Sequence, residues 1–231
     1  MLFAQTIRVN DTIYRSAPDY LFDEARWPTL LGYAEAGRGN AAFVRDEAGI
    51  CVVRHYRRGG LVAKLVDRHY LALGATRSRS IREFELLQHL FDQGLPVPEP
   101  VAARYRRRGV LYTASLVTRA LPAATSLAKL VGQDVLDASH WHQLGVTLQR
   151  FHLHGVRHAD LNAHNILRVD EHWYLIDFDR GRICAAGAWQ QHNLARLQRS
   201  LNKVMRQVGG LRAQDWDSVL AGYNTSLDKS A

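Results

Sequence analysis

His158-Ala159-Asp160-Leu161-Asn162-Ala163-His164-Asn165 is the stretch that decides the fold of this chain, together with Tyr174-Leu175-Ile176-Asp177-Phe178-Asp179 shortly after it. Asp160 precedes Asn165 by five residues and Asp177 by seventeen, and Asp177 ends an apolar run of the strand type. Phosphoryl transfer needs such a set, because a base must orient the attacking hydroxyl while oxygen ligands hold Mg²⁺ against the nucleotide phosphates. The spacing predicts Asp160 as the catalytic base and Asn165 and Asp177 as metal ligands.

Asp and Asn are also common turn residues, so a loop between a helix and a hairpin could contain all three by chance. The flanking sequence favours the chemical interpretation. A helix capped by Ser139 and stopped by Gly155 is predicted before the loop, because apolar residues recur there at three- and four-residue steps. These residues are Trp141, Leu144, Leu148 and Phe151.

A hairpin is predicted after the loop. Residues 165–169 and 173–177 have the composition of short strands, and Asp170-Glu171-His172 is a hairpin-length connection between them. This hairpin would deliver Asp177 to a strand end that faces Asp160, as the metal role requires.

The two motifs resemble the catalytic loop H-x-D-x-x-x-x-N and the metal-binding D-F-G of the protein-kinase-like fold. The resemblance implies a single α+β kinase-like domain with two lobes: a β-rich nucleotide-binding lobe at 1–118 and a short helical lobe at 119–231. Ala159 stands where many protein kinases have the arginine that reads a phosphorylated activation loop, and Asp179 replaces the glycine of D-F-G. Regulation by phosphorylation of that loop is therefore not expected.

Two glycines lie at the tip of the first predicted hairpin upstream. Residues 30–56 are predicted as three strands, and Gly37 and Gly39 follow the first of them. Glycine allows backbone amides to approach a phosphate closely, as in the glycine-rich loop of kinases. A plain hairpin turn explains the same two glycines equally well.

The kinase resemblance also implies a cation on the third strand that pairs with the nucleotide phosphates and with a glutamate on the next helix. Arg54 occupies that strand position. Arginine keeps the charge of lysine, but its planar guanidinium is bulkier and places its N–H donors differently from the lysine ammonium. Lys64 is the alternative for this role. Glu83 is predicted as the partner glutamate, and an ordinary solvated helix residue is the alternative for it.

The sequence limits the cellular locations that are possible for this protein. No apolar stretch approaches the ~20 residues needed to span a bilayer, and the N-terminus lacks the form of a secretion signal, so a cytosolic protein is expected. Cys51 and Cys184 are interpreted as small buried residues rather than a disulfide. Several histidines crowd the loop, but no spacing typical of a zinc site accompanies them.

The charge balance points to anionic partners. Thirty Lys and Arg against twenty-two Asp and Glu leave a net charge of +8. Near the C-terminus, an apolar stripe and a basic stripe share one predicted helix. The basic stripe is Arg196, Arg199, Lys203 and Arg206. The helix could dock on acidic lipid, or it could simply pack on the core with a charged outer face.

Four segments together resemble the bacterial 3-deoxy-D-manno-octulosonic acid (Kdo) kinases of lipopolysaccharide core assembly, which are relatives of the heptose kinases. They are residues 37–40, 53–64, 158–167 and 174–181. The resemblance implies ATP and Mg²⁺ as cofactors and a Kdo-lipid A precursor as acceptor. It also implies peripheral binding to the anionic cytoplasmic face of the inner membrane of a Gram-negative bacterium, without nucleic acid. Arginine in place of the strand lysine is typical of this family, and the oligomeric state is left open.

Three alternatives remain from sequence. A heptose kinase would differ only in its acceptor. A small protein kinase or an antibiotic phosphotransferase would share the fold, although only 54 residues follow Asp177 and no acidic region suited to cationic drugs is among them. A catalytically inactive scaffold or nucleic-acid module would not need Asp160, Asn165 and Asp177 together.

Overall fold

The computed structural model describes residues 3–10, 18–33, 41–56, 70–71 and 74–225. The chain divides into two compact units. The first unit comprises residues 1–91 and 98–120, and the second comprises residues 92–97 and 121–231. The assignment of nucleotide binding to residues 1–118 and of catalysis to 119–231 within one domain stays a prediction.

The first unit is built on an antiparallel sheet. Its strands among the described residues are β1 (Phe3–Val9), β2 (Thr29–Tyr33), β3 (Ala41–Asp46), β4 (Gly49–His55), β5 (Tyr70–Leu71), β6 (Pro100–Arg108) and β7 (Leu111–Arg119). The spatial order is β1-β6-β7-β4-β3-β2, and β5 also pairs with β7. The predicted strands β3 and β4 and the turn between them are confirmed, because Asp46 pairs with Gly49 across that turn.

Alternation of apolar side chains places one face of this sheet in the core. Val44, Cys51 and Val53 are buried, and they pack with Leu21 and Phe22 from a short 3₁₀ helix at Asp19–Phe22. A side chain at every second position of a strand points to the same face, so this pattern produces a sheet with one buried side. Burial raises the pKa of the Cys51 thiol to about 11.

Helix α1 (Arg79–Asp92) also belongs mainly to the first unit. Ile81, Phe84 and Leu87 form its buried stripe. Arg104 to Arg108 lie within β6 and pair along β7. Only Gly109, with φ of 62°, and its neighbour form the turn, since glycine adopts this left-handed conformation without strain.

The second unit is mainly helical. Its helices are α2 (Leu127–Gly132), α3 (Ala138–Leu153), α4 (Trp189–Val204) and α5 (Ala213–Tyr223), and a 3₁₀ turn at Met205–Val208 continues α4. Its strands are β8 (Thr125–Ser126), β9 (Val156–Arg157), β10 (Ile166–Val169), β11 (His172–Leu175) and β12 (Arg182–Ile183). The predicted hairpin is confirmed, since β10 pairs antiparallel with β11.

Helix α3 carries the predicted apolar stripe, with Trp141, Leu144, Leu148 and Phe151 all buried. Its predicted cap is wrong. Asp137 rather than Ser139 precedes the helix, accepts a hydrogen bond from the backbone N–H of His140, and receives a reciprocal contact to its own N–H from the His140 ring. A carboxylate at this position satisfies helix N–H groups and interacts well with the helix dipole. The pKa of Asp137 is lowered mainly by that backbone hydrogen bond.

Helices α3 and α5 approach each other at two glycines. A Cβ at Gly145 would overlap the carbonyl oxygen of Val219, and a Cβ at Gly222 would overlap that of His142. The helices can therefore pack only without side chains at these positions. Throughout the described ranges, the helices are too short or too polar for one of them to cross a bilayer.

Candidate active site

The loop that follows β9 is held by the side chain of His158. His158 is 2% exposed; its Nδ1 accepts a hydrogen bond from the backbone N–H of Asp160 at 3.1 Å, and its Nε2 lies 3.0 Å from the carbonyl oxygen of Ile176. Since Nδ1 accepts, Nε2 carries the proton and donates to Ile176. Burial lowers the pKa of His158, which keeps the ring neutral. These contacts hold the backbone of Asp160 to that of Ile176.

The side chain of Asn165 also binds the backbone of Asp160. Its Nδ2 donates to the carbonyl oxygen of Asp160 at 2.9 Å, and the backbone N–H of Ile176 donates to the carbonyl oxygen of Asn165 at 3.0 Å. Ile176 directly precedes Asp177. The second unit therefore brings together the three residues predicted to act in catalysis and metal binding.

The donor set at Asn165 and Asp177 fits Mg²⁺. Because the amide nitrogen of Asn165 is used by Asp160, its amide oxygen is directed to the opposite side and can serve as a ligand. Magnesium prefers oxygen ligands and is usually held by one or two protein side chains plus substrate phosphates. Among the described residues, this site included, no three His, Cys, Asp or Glu side chains gather in a way that could hold a metal.

Asp177 has an unusual backbone conformation. Its φ is 62°, in the left-handed region that non-glycine residues seldom adopt. The next residue, Phe178, is 1% exposed and packs against the ring of His158 with 4.9 Å between ring centroids. Burial of Phe178 therefore fixes the turn that orients the Asp177 carboxylate.

Helix α4 holds the catalytic loop along one line of side chains. Asn193 donates to the carbonyl oxygen of His158 at 2.8 Å and accepts from its backbone N–H at 3.2 Å. Ser200 accepts a hydrogen bond from the backbone N–H of Ala163 at 3.1 Å. Arg196 lies between them and donates to the carboxylate of Asp160. Residues at these three- and four-residue steps share one side of a helix.

The contact between Arg196 and Asp160 is forked. Both Nε, at 3.0 Å, and Nη2 of Arg196 donate to Oδ1 of Asp160. The second oxygen, Oδ2, has no hydrogen bond to any residue that the structure describes. Arg196 thus fixes the orientation of the carboxylate through Oδ1.

In the first unit, Arg54 and Glu83 are in contact. Nη2 of Arg54 forms an ion pair with Oε1 of Glu83 and donates to the hydroxyl of Tyr56 at 3.1 Å. The Tyr56 hydroxyl in turn donates to Oε2 of Glu83. Glu83 is 2% exposed, so its interpretation as a solvated helix residue is wrong. A buried carboxylate is retained only with partners such as these.

Three predicted nucleotide-binding residues lie outside the described residues: Gly37, Gly39 and Lys64. Their roles, and the choice between Arg54 and Lys64 as the cation that pairs with the phosphates, stay predictions.

Sequence reasoning missed the line on α4. Arg196 was grouped with the basic stripe, and Asn193 and Ser200 were not considered. A signal did exist, because these three polar residues follow a helical spacing just beside the apolar stripe. The apolar stripe itself packs in the core, with Leu194, Leu197 and Leu201 all buried. Of the two interpretations of α4, packing on the core with a charged outer face agrees with these buried leucines.

The fold defines a class of protein. One solved structure, described as "WaaP in complex with acyl carrier protein", aligns with a TM-score of 0.59 and 16% identity, over 94% of this chain and 88% of that one. Another, described as "Glucosamine kinase (crystal form B)", aligns with a TM-score of 0.50 and 15% identity, over 88% of this chain and 68% of that one. The predicted kinase-like fold is confirmed.

The family follows from the sequence comparisons. The model of the lipopolysaccharide kinase (Kdo/WaaP) family matches residues 30–223. The chain belongs to this family. It is thus a phosphate-transferring enzyme of lipopolysaccharide biosynthesis, and kinase membership implies ATP as its phosphate donor.

Curated relatives cover most of the chain. A protein of Xylella fastidiosa (strain M23) named 3-deoxy-D-manno-octulosonic acid kinase is 48% identical over 174 residues, which is 74% of this chain and 69% of the relative. A protein of Vibrio vulnificus (strain YJ016) with the same name is 37% identical over 230 residues, which is 96% of this chain and 97% of the relative. The predicted resemblance to Kdo kinases is confirmed.

Proposed function

We propose that this chain transfers the γ-phosphate of ATP to the 4-hydroxyl of Kdo on a lipid A precursor, with Mg²⁺ as cofactor. The observation that carries the proposal is the hydrogen-bonded set that joins Asp160, Asn165 and the residue preceding Asp177. The names of the relatives in Xylella and Vibrio support Kdo as the acceptor sugar.

Asp160 acts on the acceptor. Its Oδ1 is held by Arg196, and its Oδ2 accepts the proton of the sugar hydroxyl as the hydroxyl oxygen attacks the γ-phosphorus. The bond between the γ-phosphorus and the bridging oxygen breaks, and ADP leaves. Because a sugar hydroxyl is a weak nucleophile, its orientation by a fixed carboxylate contributes most of what this residue can supply.

Asn165 and Asp177 would hold Mg²⁺, which neutralises charge on the phosphates when it is bound. In the protein itself, the hydrogen bond from Asn165 to the Asp160 carbonyl fixes the position of the proposed metal ligand Asn165 relative to the proposed base Asp160. The neutral ring of His158 links the backbone of Asp160 to that of Ile176, the residue before Asp177. These contacts position both functions before any substrate binds.

The first unit would bind the nucleotide. Arg54 is oriented by Glu83 and Tyr56, which leaves its guanidinium pre-positioned for phosphate oxygens. Gly37 and Gly39 would supply backbone amides to the phosphates, and Lys64 is the second candidate for the pairing cation. The lobes at 1–118 and 119–231 would then divide nucleotide binding from catalysis.

The proposed acceptor substrate implies where in the cell the enzyme would work. A lipid A precursor resides in a bilayer, so the enzyme would work as a peripheral protein at the anionic cytoplasmic face of the inner membrane of a Gram-negative bacterium. The net charge of +8 supports attraction to that surface.

A transfer assay tests the proposal. Purified protein is incubated with γ-labelled ATP and either a Kdo-bearing or a heptose-bearing lipid A precursor, and the phosphate is located by mass spectrometry. We expect phosphate on the 4-hydroxyl of Kdo. Label on heptose alone, or on neither acceptor, would overturn the proposal.

Two substitutions test the assigned residues. Asp160→Asn should reduce kcat by about 10²- to 10⁴-fold without weakening ATP binding, because the base acts on the acceptor. Asp177→Ala should also weaken Mg²⁺-dependent ATP binding. The exposed Asp217→Asn on α5 is the matched control, and it should behave as wild type. A near wild-type rate for Asp160→Asn would remove Asp160 from the mechanism.

A further inference from the structure

A basic depression lies in the second unit where α4 ends. Its volume is about 450 Å³, and it is lined by the last turns of the helix and the turn that follows. The lining residues are Arg199, Asn202, Lys203, Arg206, Gly209 and Gly210. We call this depression the basic pocket.

The floor of the basic pocket is fixed by main-chain contacts. The backbone N–H of Gly210 donates to the carbonyl oxygen of Met205 at 2.8 Å, and Gly209 adopts a φ of 91°. Asn202 accepts a hydrogen bond from the backbone N–H of Leu211 at 3.4 Å. These backbone groups are already used, so a ligand in the basic pocket would be bound by the charged side chains.

The charge of the basic pocket is not balanced locally. The segment from Arg180 to Gln214 contains seven Lys and Arg residues and no Asp or Glu. Two of these cations have acidic partners: Arg196 pairs with Asp160, and Arg212 pairs with Asp215. Across the described part of the chain, the three cations of the basic pocket pair with no carboxylate. They are exposed and point to a negatively charged ligand.

The basic pocket begins one helical turn from Arg196, whose guanidinium contacts the carboxylate of Asp160. Arg199 follows Arg196, the partner of Asp160, by three residues, which is about 5 Å along a helix. Lys203 and Arg206 continue the row at four- and three-residue steps, so the row extends about 15 Å from Arg196. A molecule that places a hydroxyl at Asp160 and extends along α4 would reach all three cations.

We infer that the basic pocket binds a phosphate monoester of the acceptor glycolipid and so positions the acceptor hydroxyl at Asp160. This inference rests on the proposed function. Two guanidinium groups and one ammonium group that line one depression are suited to a phosphate, because each guanidinium can donate two parallel hydrogen bonds to phosphate oxygens. The substrate selected is therefore a phosphorylated head group rather than a neutral sugar.

A bare membrane surface fits the basic pocket less well. The cations line a shallow, open depression, and the apolar residues of α4 next to them are buried in the core. Amphipathic helices that lie on membranes instead expose an apolar side to the acyl chains.

The test compares two double variants that lose the same charge. Arg199→Gln with Lys203→Gln removes two cations from the basic pocket, whereas Arg26→Gln with Arg108→Gln removes two exposed cations of the first unit. Transfer is measured in neutral detergent micelles with an acceptor that bears its phosphates and with the same acceptor after phosphatase treatment. Binding of each acceptor is measured by isothermal titration calorimetry without ATP.

We expect the pocket variant to raise KM and Kd for the phosphorylated acceptor by ten- to hundredfold, with kcat within threefold and KM for ATP unchanged. For the dephosphorylated acceptor, wild type and pocket variant should bind equally weakly. The control variant should match wild type with both acceptors. An unchanged KM and Kd, or an equal loss with both acceptors, overturns the inference.

A third arm uses vesicles of anionic phospholipid without acceptor. If the pocket variant loses vesicle binding relative to the control but keeps its acceptor Kd in micelles, the basic pocket is a membrane contact and the inference is wrong. If wild type binds the phosphorylated acceptor through the basic pocket but transfers no phosphate to Kdo, the proposed function fails and the pocket assignment survives.

Discussion

The guanidinium of Arg196 on α4 donates two hydrogen bonds to one carboxylate oxygen of Asp160, 36 residues earlier in the chain. Both side chains are about half exposed, at 48% and 50%. An ion pair with this exposure adds little to the stability of the fold, because water screens the charges. Its effect should therefore be found in catalysis, where the orientation of a base matters.

Replacement of Arg196 tests this role. Arg196→Ala should lower kcat about tenfold or more while KM for ATP stays unchanged and the free energy of unfolding falls by less than about 1 kcal/mol. Arg196→Lys should restore part of kcat, since lysine keeps the charge but not the fork. Steady-state kinetics and urea unfolding measure both quantities. A large loss of stability with normal kcat would make the contact structural.

Glu83 is expected to matter for stability as well as activity. Glu83→Ala leaves Arg54 and the Tyr56 hydroxyl without their buried acceptor, so the free energy of unfolding should fall by about 3 kcal/mol. Glu85→Ala on the same helix is the control, because Glu85 is exposed and its contact to Arg8 is 3.8 Å long. Its effect should remain below about 1 kcal/mol. Equal losses in the two variants would contradict the buried ion pair.

A pair of substitutions distinguishes Arg54 from Lys64 as the cation that pairs with the nucleotide phosphates. Arg54→Ala should reduce kcat/KM for ATP by about 100-fold or more if Arg54 pairs with the phosphates, because charge-assisted contacts to phosphate contribute several kcal/mol. Lys64→Ala should then have the smaller effect. ATP binding measured without acceptor distinguishes nucleotide contacts from later steps. The reverse order of losses would assign the phosphate role to Lys64.

The stability of the second unit should depend on pH through His152. Burial lowers its pKa from 6.5 to about 4, and its ring contacts the Tyr223 hydroxyl at 2.7 Å. Between these two pH values the unfolded chain binds a proton that the folded protein does not. Stability contributed by the neutral ring is therefore complete above about pH 7 and decreases by up to about 3 kcal/mol as the pH falls toward 4.

His152→Gln removes this titration while it keeps a hydrogen-bonding group near Tyr223. The free energy of unfolding of the variant, measured by urea between pH 4 and 8, should vary less with pH than that of wild type. Some dependence should persist, because burial also lowers the pKa of His158. The exposed His172→Gln should leave the slope unchanged. An identical slope for His152→Gln would refute the assignment.

Because α3 and α5 touch at glycines, one added methyl group there should strongly lower the free energy of unfolding. Gly222→Ala would place Cβ against the backbone of His142, so the helices must separate and the free energy of unfolding should fall by about 3 kcal/mol or more. Gly132→Ala in α2 meets no atom within 4 Å and should change stability by less than about 1 kcal/mol. Thermal unfolding of the two variants, followed by circular dichroism, measures the difference.

Local patterns in the sequence predicted much of this structure. The stripe from Trp141 to Phe151 and the hairpin of β10 and β11 depend on periodicity and turn residues, which neighbouring positions encode. The boundary of α3 was less certain, because Asp137 and Ser139 are both good caps and only the backbone selects between them.

The contacts that hold the site were harder to predict. Asn193, Arg196 and Ser200 bind a loop about 35 residues earlier, and sequence spacing alone does not say which loop a polar line on a helix will meet. The contact between Glu83 and Arg54 matches the predicted pairing, but periodicity alone does not indicate the burial of Glu83, since its side chain lies off the apolar stripe.

Helix α4 presents three adjacent sides: Leu194, Leu197 and Leu201 to the core, Asn193, Arg196 and Ser200 to the loop that contains Asp160, and Arg199 and Lys203 to solvent. One added or deleted residue inside it would rotate everything downstream by about 100° and misplace all three sides at once. During evolution, the helix can therefore accept many exchanges of side chains, while changes in length must be confined to the loops before Trp189 and after Val208.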